Sequence, residues 1–328
     1  MSELHRFLFE GMGVRGMVVR LTDGWREILA RRAASGEPFP APVRALLGEM
    51  AAAGVLMQSN IRFDGALVLQ IHGDGPVKLA VAEVQNDLSF RATAKVVGPL
   101  SDKAQLAAMV NLHGQGRCAI TLDPKGRRAG QQPYQGVVAL HGDKREPLDK
   151  LSEVLEHYML QSEQLDTRLV LAADDRVAAG LLIQRLPVAG ERNLDRSGGV
   201  ASPDEDQIGR NEDYNRIAHL AATLTRDELL TLDANTVLHR LFWEEPLRRL
   251  EPLTGDDGPR FVCSCSRERV GAMLKGLGRA EIDDIVAEQG RVQIGCDFCG
   301  KQYEFDPVDV GELFTPAGRQ MPGSSSSH

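Results

Sequence analysis

The chain has 328 residues, which exceeds one ordinary domain and predicts two or three. Its 42% apolar and 26% charged residues are typical of a soluble globular protein. The formal net charge of −8 argues against a general nucleic-acid or anionic-membrane surface, because phosphate binding relies on clustered Lys and Arg. Residues 1–10 contain no apolar signal-peptide segment, and no apolar run approaches the roughly 20 residues that span a bilayer. We therefore predict a cytoplasmic protein with no nucleic-acid or membrane partner.

Residues 1–186 are predicted to form an N-terminal domain of mixed helices and strands. Residues 66–71 and 77–82 alternate as strands do, and the turn-forming run 72–76 between them predicts a hairpin. The other predicted strands are 17–21, 88–97, 118–122, 136–140, 167–172 and 178–184, and the predicted helices are 41–57 and 148–161. Because the strands follow one another with few helices between them, we predict an α+β fold with antiparallel β-sheet and not a doubly wound parallel sheet.

Two further segments follow this domain. Residues 187–211 contain few apolar residues and are predicted to be a flexible loop. Residues 212–258 are predicted to be a helical linker, in which Thr225 and Glu228 form a capping box and Pro246 ends or bends the last helix.

The linker is rich in leucine and too short to have a core of its own. We therefore expect it to bury its apolar face against a neighbouring domain. Phe242, Trp243 and Leu247 are predicted to pack there in the folded protein, and to be candidates for contacting a partner if the linker opens.

Residues 259–315 are predicted to be a small C-terminal domain. Helices are expected at 267–277 and 280–289, with Gly278 and Gly290 ending them, and a hairpin is expected from 292–294 and 302–305. The tail 316–328, with four serines, is predicted to be disordered.

Four of the five cysteines lie in this small domain as two close pairs, Cys263 with Cys265 and Cys296 with Cys299. Four thiolates make a tetrahedral site for zinc with no open position, and Gly300 allows a tight turn after the second pair. About 55 residues are few for an independent core, so the metal would supply folding free energy on the order of 10 kcal/mol. We predict one zinc ion per chain, bound by these four residues.

The purpose of such a site stays open at this point. A static zinc staple and a redox switch, in which oxidised thiolates lose the metal and the local fold, both agree with the spacing. A zinc ribbon that binds nucleic acid is a third hypothesis, although residues 259–310 contain nine acidic and seven basic residues. An iron–sulfur cluster, a disulfide framework and an enzyme are less favoured, because the spacing, the reducing compartment and the lack of a catalytic set argue against them. Cys118 lies in an apolar strand and is predicted to be a buried small side chain.

The cysteine motifs and their surroundings resemble one known family, the bacterial 33-kDa heat-shock chaperonins, which are redox-regulated holdases. Residues 261–270, FVCSCSRERV, look like the first zinc motif of this family. Residues 287–290 (AEQG), 296–299 (CDFC) and 303–305 (YEF) look like the second. Upstream segments with the same resemblance are 69–74, 91–94, 158–167 and 238–245. The loops at 187–211 and 255–258 are longer than the family pattern, and neither contains a proposed ligand.

The resemblance implies an ATP-independent chaperone that is inactive when reduced and zinc-bound, and that is not an enzyme. It implies that oxidants join Cys263 to Cys265 and Cys296 to Cys299, with release of zinc and unfolding of the linker. The oxidised form is expected to dimerise and to protect unfolding client proteins from aggregation during oxidative and heat stress.

Overall fold

Strand pairing begins three residues into the chain in this computed structural model, which describes residues 1–126, 132–186, 209 and 211–315. The predicted flexible loop 187–211 lies outside the described residues apart from Gly209 and Asn211, and the predicted disordered tail 316–328 lies wholly outside them. The described chain divides into a unit Met1–Val262 and a second unit that begins at Cys263.

Both units contain strands and helices. In chain order the strands are β1 (Glu3–Phe9), β2 (Val14–Leu21), β3 (Gly65–His72), β4 (Val77–Gln85), β5 (Ser89–Val96), β6 (Arg117–Pro124), β7 (Tyr134–Ala139), β8 (Thr167–Ala173), β9 (Ala178–Arg185), β10 (Leu247–Arg249), β11 (Leu253–Thr254), β12 (Arg260–Phe261), β13 (Val292–Gly295) and β14 (Gln302–Phe305). The helices are α1 (Asp23–Ala34), α2 (Ala41–Asn60), α3 (Leu106–Val110), α4 (Leu151–Glu163), α5 (Glu212–Ala222), α6 (Arg226–Thr231), α7 (Ala234–Phe242), α8 (Arg267–Leu277), α9 (Arg279–Gln289) and α10 (Pro307–Leu313). Within the described ranges, none of these helices combines the length and the apolar character needed to cross a membrane.

Two large sheets form the first unit. One has the order β10–β1–β2–β9–β8, with β11 also paired to β1, and every pairing is antiparallel. The other has the order β12–β5–β4–β3–β6–β7 and is antiparallel except where β12 joins β5. The predicted α+β fold with antiparallel sheet is therefore confirmed, and so is the predicted hairpin, in which Ile71 faces Ala80.

Helix α2 lies between the two sheets and is buried along most of its length. A helix that packs on two sheets needs small residues where the strands come close. A Cβ atom on Gly48 would lie 2.4 Å from the Cβ of Ala173, and one on Gly54 would lie 2.8 Å from a methyl carbon of Val84. These two glycines, together with Ala51, allow α2 to act as the central layer of the core.

The predicted linker helices α5, α6 and α7 cover the other face of the first sheet. Their buried side chains form a second apolar cluster with residues of β1, β2, β8 and β9. Arg20 of β2 adds polar contacts, because its guanidinium donates to the carbonyl oxygens of Leu229 (2.7 Å) and Leu230 (3.1 Å) at the end of α6. The prediction that this segment buries its apolar face against a neighbouring domain is confirmed.

The helical character of the predicted linker ends earlier than expected. Helix α7 stops at Phe242, and the chain after Pro246 forms the short strands β10, β11 and β12 at the margins of both sheets. Phe242 is buried and Leu247 is half-buried, as predicted, but Trp243 is 67% exposed and the prediction for it was wrong. Trp243 is the C-cap residue of α7, directly after the last helical residue Phe242.

Glu49 is the one carboxylate of the largely apolar helix α2, and it gives the first unit a dependence on pH. Burial raises the pKa of Glu49 from 4.5 to about 7, while the positive charges of Arg226 and Lys150 act in the opposite direction. The folded state therefore holds this proton more tightly than the unfolded chain does. The contribution of Glu49 to the free energy of unfolding is therefore complete below about pH 4.5. It is lost as the pH rises from there through 7.

We therefore expect Glu49→Gln to raise the free energy of unfolding at pH 8 by on the order of 2 kcal/mol. The gain should nearly vanish at pH 4.5, where the carboxyl group is protonated in the folded wild type. Urea unfolding at the two pH values measures both numbers. Glu27→Gln is the control, since Glu27 is an exposed residue of α1. An equal gain at both pH values would contradict the assignment.

Candidate metal centre

The sulfur atoms of Cys263, Cys265, Cys296 and Cys299 come together in the second unit, within 4.8 Å of one another. The sulfur separation is 3.6 Å between Cys263 and Cys296 and 3.4 Å between Cys265 and Cys299. Tetrahedral zinc with bonds of about 2.3 Å to sulfur places its ligands about 3.8 Å apart. The arrangement is therefore close to that of a four-thiolate metal site, and in the described part of the chain it is the one cluster of this kind.

The second cysteine pair sits on a tight turn between β13 and β14. The N–H of Cys296 donates to the carbonyl oxygen of Lys301 (2.9 Å), and the N–H of Gly300 donates to that of Cys296 (2.8 Å). Gly300 has φ +71°, a left-handed conformation that favours glycine. This turn aims the sulfurs of Cys296 and Cys299 to the same side of the hairpin.

The first pair lies directly before α8, whose start fixes its position. Ser266 is the N-cap of this helix, and its hydroxyl accepts from the N–H of Arg269. The guanidinium of Arg269 reaches back and donates to the carbonyl oxygen of Ser264 (3.0 Å). The extended segment that carries Cys263 and Cys265 is thereby fixed to the helix.

A small apolar core lies beneath the sulfurs. Its buried members are Leu274, Ile282, Val292, Tyr303, Phe305 and Val310. Arg267 covers this core, with its guanidinium carbon 4.3 Å from the centre of the Phe305 ring. The same guanidinium donates to the carbonyl oxygen of Glu304 and forms an ion pair with Asp309. Six buried apolar side chains are few for an independent unit, so additional cross-links matter here.

The four thiols differ in their readiness to lose a proton. Burial acts to raise the pKa of Cys265, but hydrogen bonds from the Tyr303 hydroxyl and the neighbouring thiols outweigh it and hold the pKa at about 7. Burial raises the pKa of Cys296 and of Cys299 above the ordinary value, although backbone N–H groups oppose it at both. A cation at the centre would favour all four thiolates, since metal binding displaces the protons.

The other cysteine takes no part in this cluster. Cys118 is fully buried in β6, as predicted, and burial raises the pKa of its thiol to about 12. A thiol in that setting is unreactive.

Two residues with roles at the cluster were not singled out from the sequence. Tyr303 donates its hydroxyl hydrogen to the sulfur of Cys265 at 3.1 Å, and Arg267 holds the core as described above. The contact between Tyr303 and Cys265 joins positions 38 residues apart and depends on the hairpin register. The sequence held two signals for Tyr303. It alternates with Phe305 on the buried face of a predicted strand, and it lies in the run 303–305 (YEF) that resembles the second family motif.

The chain is similar to proteins of one family along nearly its whole length. A family model described as "Hsp33 protein" matches residues 2–306. The "33 kDa chaperonin" of Chromobacterium violaceum is 46% identical to this chain, and the alignment covers 95% of this chain and 94% of that protein. The "33 kDa chaperonin" of Methylobacillus flagellatus is 42% identical, and the alignment covers 100% of this chain and 99% of that protein. The crystal structure of the 33 kDa chaperonin of Thermotoga maritima has the same fold, with a TM-score of 0.70 over 95% of this chain and 98% of that one, at 20% identity. The resemblance inferred from the cysteine motifs is confirmed, and the chain belongs to the Hsp33 protein family of heat-shock chaperones.

Proposed function

We propose that this chain is a redox-regulated chaperone that holds unfolding proteins without using ATP. The observation that carries the proposal is the convergence of four cysteine sulfurs within 4.8 Å in a unit with a very small core. Membership of a chaperone family supplies the activity, and the cysteine cluster supplies a means of controlling it. The proposed partners are unfolding client proteins and, in the oxidised state, a second copy of the chain.

The donor set fits zinc. Cys263, Cys265, Cys296 and Cys299 offer four soft sulfur ligands at tetrahedral separations and leave no open position, as in structural zinc sites. Bound there, the ion would stabilise four negative charges at one point and cross-link α8 to the hairpin of β13 and β14. We propose one zinc ion per chain in the reduced state.

Oxidation of these thiolates removes the negative charge that holds the cation. A thiolate attacks one oxygen of a peroxide, the O–O bond breaks, and sulfenic acid and hydroxide form. A second thiol then attacks the oxidised sulfur, an S–S bond forms, and a further water leaves. Each disulfide takes two electrons from the protein and reduces one peroxide to two waters.

The pairing of the sulfurs is part of the proposal. We propose disulfides between Cys263 and Cys265 and between Cys296 and Cys299. In the structure the sulfur of Cys263 lies 3.6 Å from that of Cys296, and the sulfur of Cys265 lies 3.4 Å from that of Cys299. All four sulfurs lie within 4.8 Å of one another, so local and crossed pairs are both within reach. Peptide mapping of the oxidised protein decides between local and crossed pairs.

The helices α5, α6 and α7 are the proposed element that responds. They are short, and helices of 6 to 11 residues depend on packing for their stability. The chain that leaves them runs through β10, β11 and β12, and Cys263 follows Val262, whose N–H bonds the carbonyl oxygen of Phe90 (3.2 Å). We propose that disorder after Cys263 spreads back through these short strands and exposes the apolar faces of the helices to clients.

The test compares reduced and peroxide-oxidised protein at raised temperature. We expect about one zinc per chain before oxidation, its appearance in solution as four thiols are lost, and suppression of client aggregation by the oxidised form only. Cys118→Ala is the control and should behave as the wild type. Retention of zinc under peroxide would favour a static zinc staple, and equal activity of the reduced form would contradict the switch. Tight, salt-dependent binding to random DNA would favour the nucleic-acid hypothesis.

A further inference from the structure

The four sulfurs of the cluster differ in the groups that donate hydrogen bonds to them. The sulfur of Cys296 accepts hydrogen bonds from the backbone N–H groups of Phe298 and Cys299, and the sulfur of Cys299 accepts one from the N–H of Lys301. Cys265 instead receives the hydroxyl of a side chain, that of Tyr303 at 3.1 Å. Among the described residues, Tyr303 is the one whose hydroxyl donates a hydrogen bond to a sulfur of the cluster. Substitution can remove a side-chain donor, whereas it leaves a backbone N–H in place.

Tyr303 is held firmly in place for this contact. Its ring is 4% exposed and lies in the core of the second unit, and β14 pairs it with Ile294 of β13. The ammonium nitrogen of Lys301 lies 5.1 Å from the centre of the ring. The hydroxyl is thus aimed at the sulfur by a rigid, packed ring.

A hydrogen bond to a thiolate has two consequences for a metal site of this kind. It spreads part of the negative charge onto the donor, so the sulfur becomes a weaker nucleophile toward an oxidant. It also fixes the direction in which the sulfur points, as outer hydrogen bonds do for metal ligands in general. Both effects act on Cys265 through Tyr303.

We propose that Tyr303 is a positioning residue that slows the oxidation of Cys265 and thereby sets how much oxidant the cluster withstands. The inference rests on the proposed zinc-bound redox function and assigns a regulator to it. The step that Tyr303 slows is attack of the Cys265 thiolate on peroxide. In that step an S–O bond forms, the O–O bond breaks, hydroxide leaves, and the sulfur is oxidised to sulfenic acid while the peroxide is reduced.

The test uses Tyr303→Phe in the full-length, reduced and zinc-loaded protein. The variant keeps the buried ring and removes only the hydroxyl. With limiting hydrogen peroxide, we expect oxidised Cys265, measured by mass spectrometry of its peptide, to form about threefold to tenfold faster than in the wild type. Tyr134→Phe is the matched control, because it removes a hydroxyl that contacts Glu163 in the first unit and should leave the rate unchanged.

A second measurement separates a hydrogen bond from a packing role. With cobalt(II) in place of zinc, the sulfur-to-cobalt charge-transfer bands report the charge on the thiolates. We expect these bands to shift to lower energy in Tyr303→Phe and to stay unchanged in Tyr134→Phe. An unchanged oxidation rate and unchanged bands would overturn the inference. Loss of metal binding in Tyr303→Phe would also overturn it, since Tyr303 would then be a structural residue.

The outcomes also distinguish this inference from the function on which it rests. If the wild type binds no zinc, or keeps its zinc under peroxide, the proposed redox function fails. If the wild type responds to peroxide and Tyr303→Phe responds at the same rate, only the role of Tyr303 fails.

Discussion

Removal of the metal under reducing conditions is expected to unfold the unit that begins at Cys263 and to leave Met1–Val262 folded. The second unit has six buried apolar side chains and two short antiparallel strands, and the cysteine cluster joins its two halves. Structural zinc sites in small domains contribute about 10–16 kcal/mol, which exceeds what such a core supplies. Without the cation, burial at Cys296 and Cys299 returns those thiols to the protonated form, and neutral thiols do not hold the segments together.

Amide hydrogen exchange measures this expectation segment by segment. Chelation with the thiols kept reduced should abolish protection in β13, β14 and α8, while β3 and β4 in the first unit keep theirs. Adding zinc back should restore the protection. Cys296→Ser should weaken zinc binding and reproduce the loss, and Cys118→Ala should not. Persistent protection of β13 and β14 in metal-free protein would show that the small core suffices.

The sequence predicted best those elements whose signal is local. The turn at 72–76 predicted the β3–β4 hairpin, and helical spacing of apolar residues predicted α2. Gly278 and Gly290 do end α8 and α9, with φ +97° and +76°. The two cysteine pairs predicted the cluster of four sulfurs in the same way, because thiol pairs with this spacing have few structural alternatives.

The shortest elements, which depend on distant partners, were not predicted. The strands β10, β11 and β12 have two or three residues each and form because an edge of an existing sheet offers free backbone groups. So short a segment has no periodicity to detect. The hydrogen bond from Tyr303 to Cys265 was missed for the same physical reason, since it depends on where the hairpin folds relative to α8. The exposure of Trp243 depends on the exact end of α7, which spacing fixes only to within a few residues.

The second large effect is expected from Phe242→Ala, which should make the reduced protein a partly active chaperone. Phe242 ends α7 and is 2% exposed. Its ring meets that of Phe9 edge-to-face at 5.0 Å and lies 6.2 Å from that of Phe7, so it is the main aromatic contact between the linker helices and the first sheet. Truncation of a buried phenylalanine costs about 3–5 kcal/mol, and helices this short have little stability to lose.

Hydrogen exchange across α5, α6 and α7 measures the loosening, and aggregation of an unfolding client measures the activity. In Phe242→Ala we expect faster exchange in all three helices and client protection without any oxidant, while zinc stays bound. The adjacent Trp243→Ala is the matched control, because it removes a larger ring that is 67% exposed and should change neither quantity in the reduced protein. If Phe242→Ala loosens the helices and the reduced protein stays inactive, the apolar face of α5–α7 and its sheet is not the surface that holds clients. Activity in this variant with the metal retained would instead show that oxidation acts through the helices, and that the cysteine cluster controls their packing without itself binding the client.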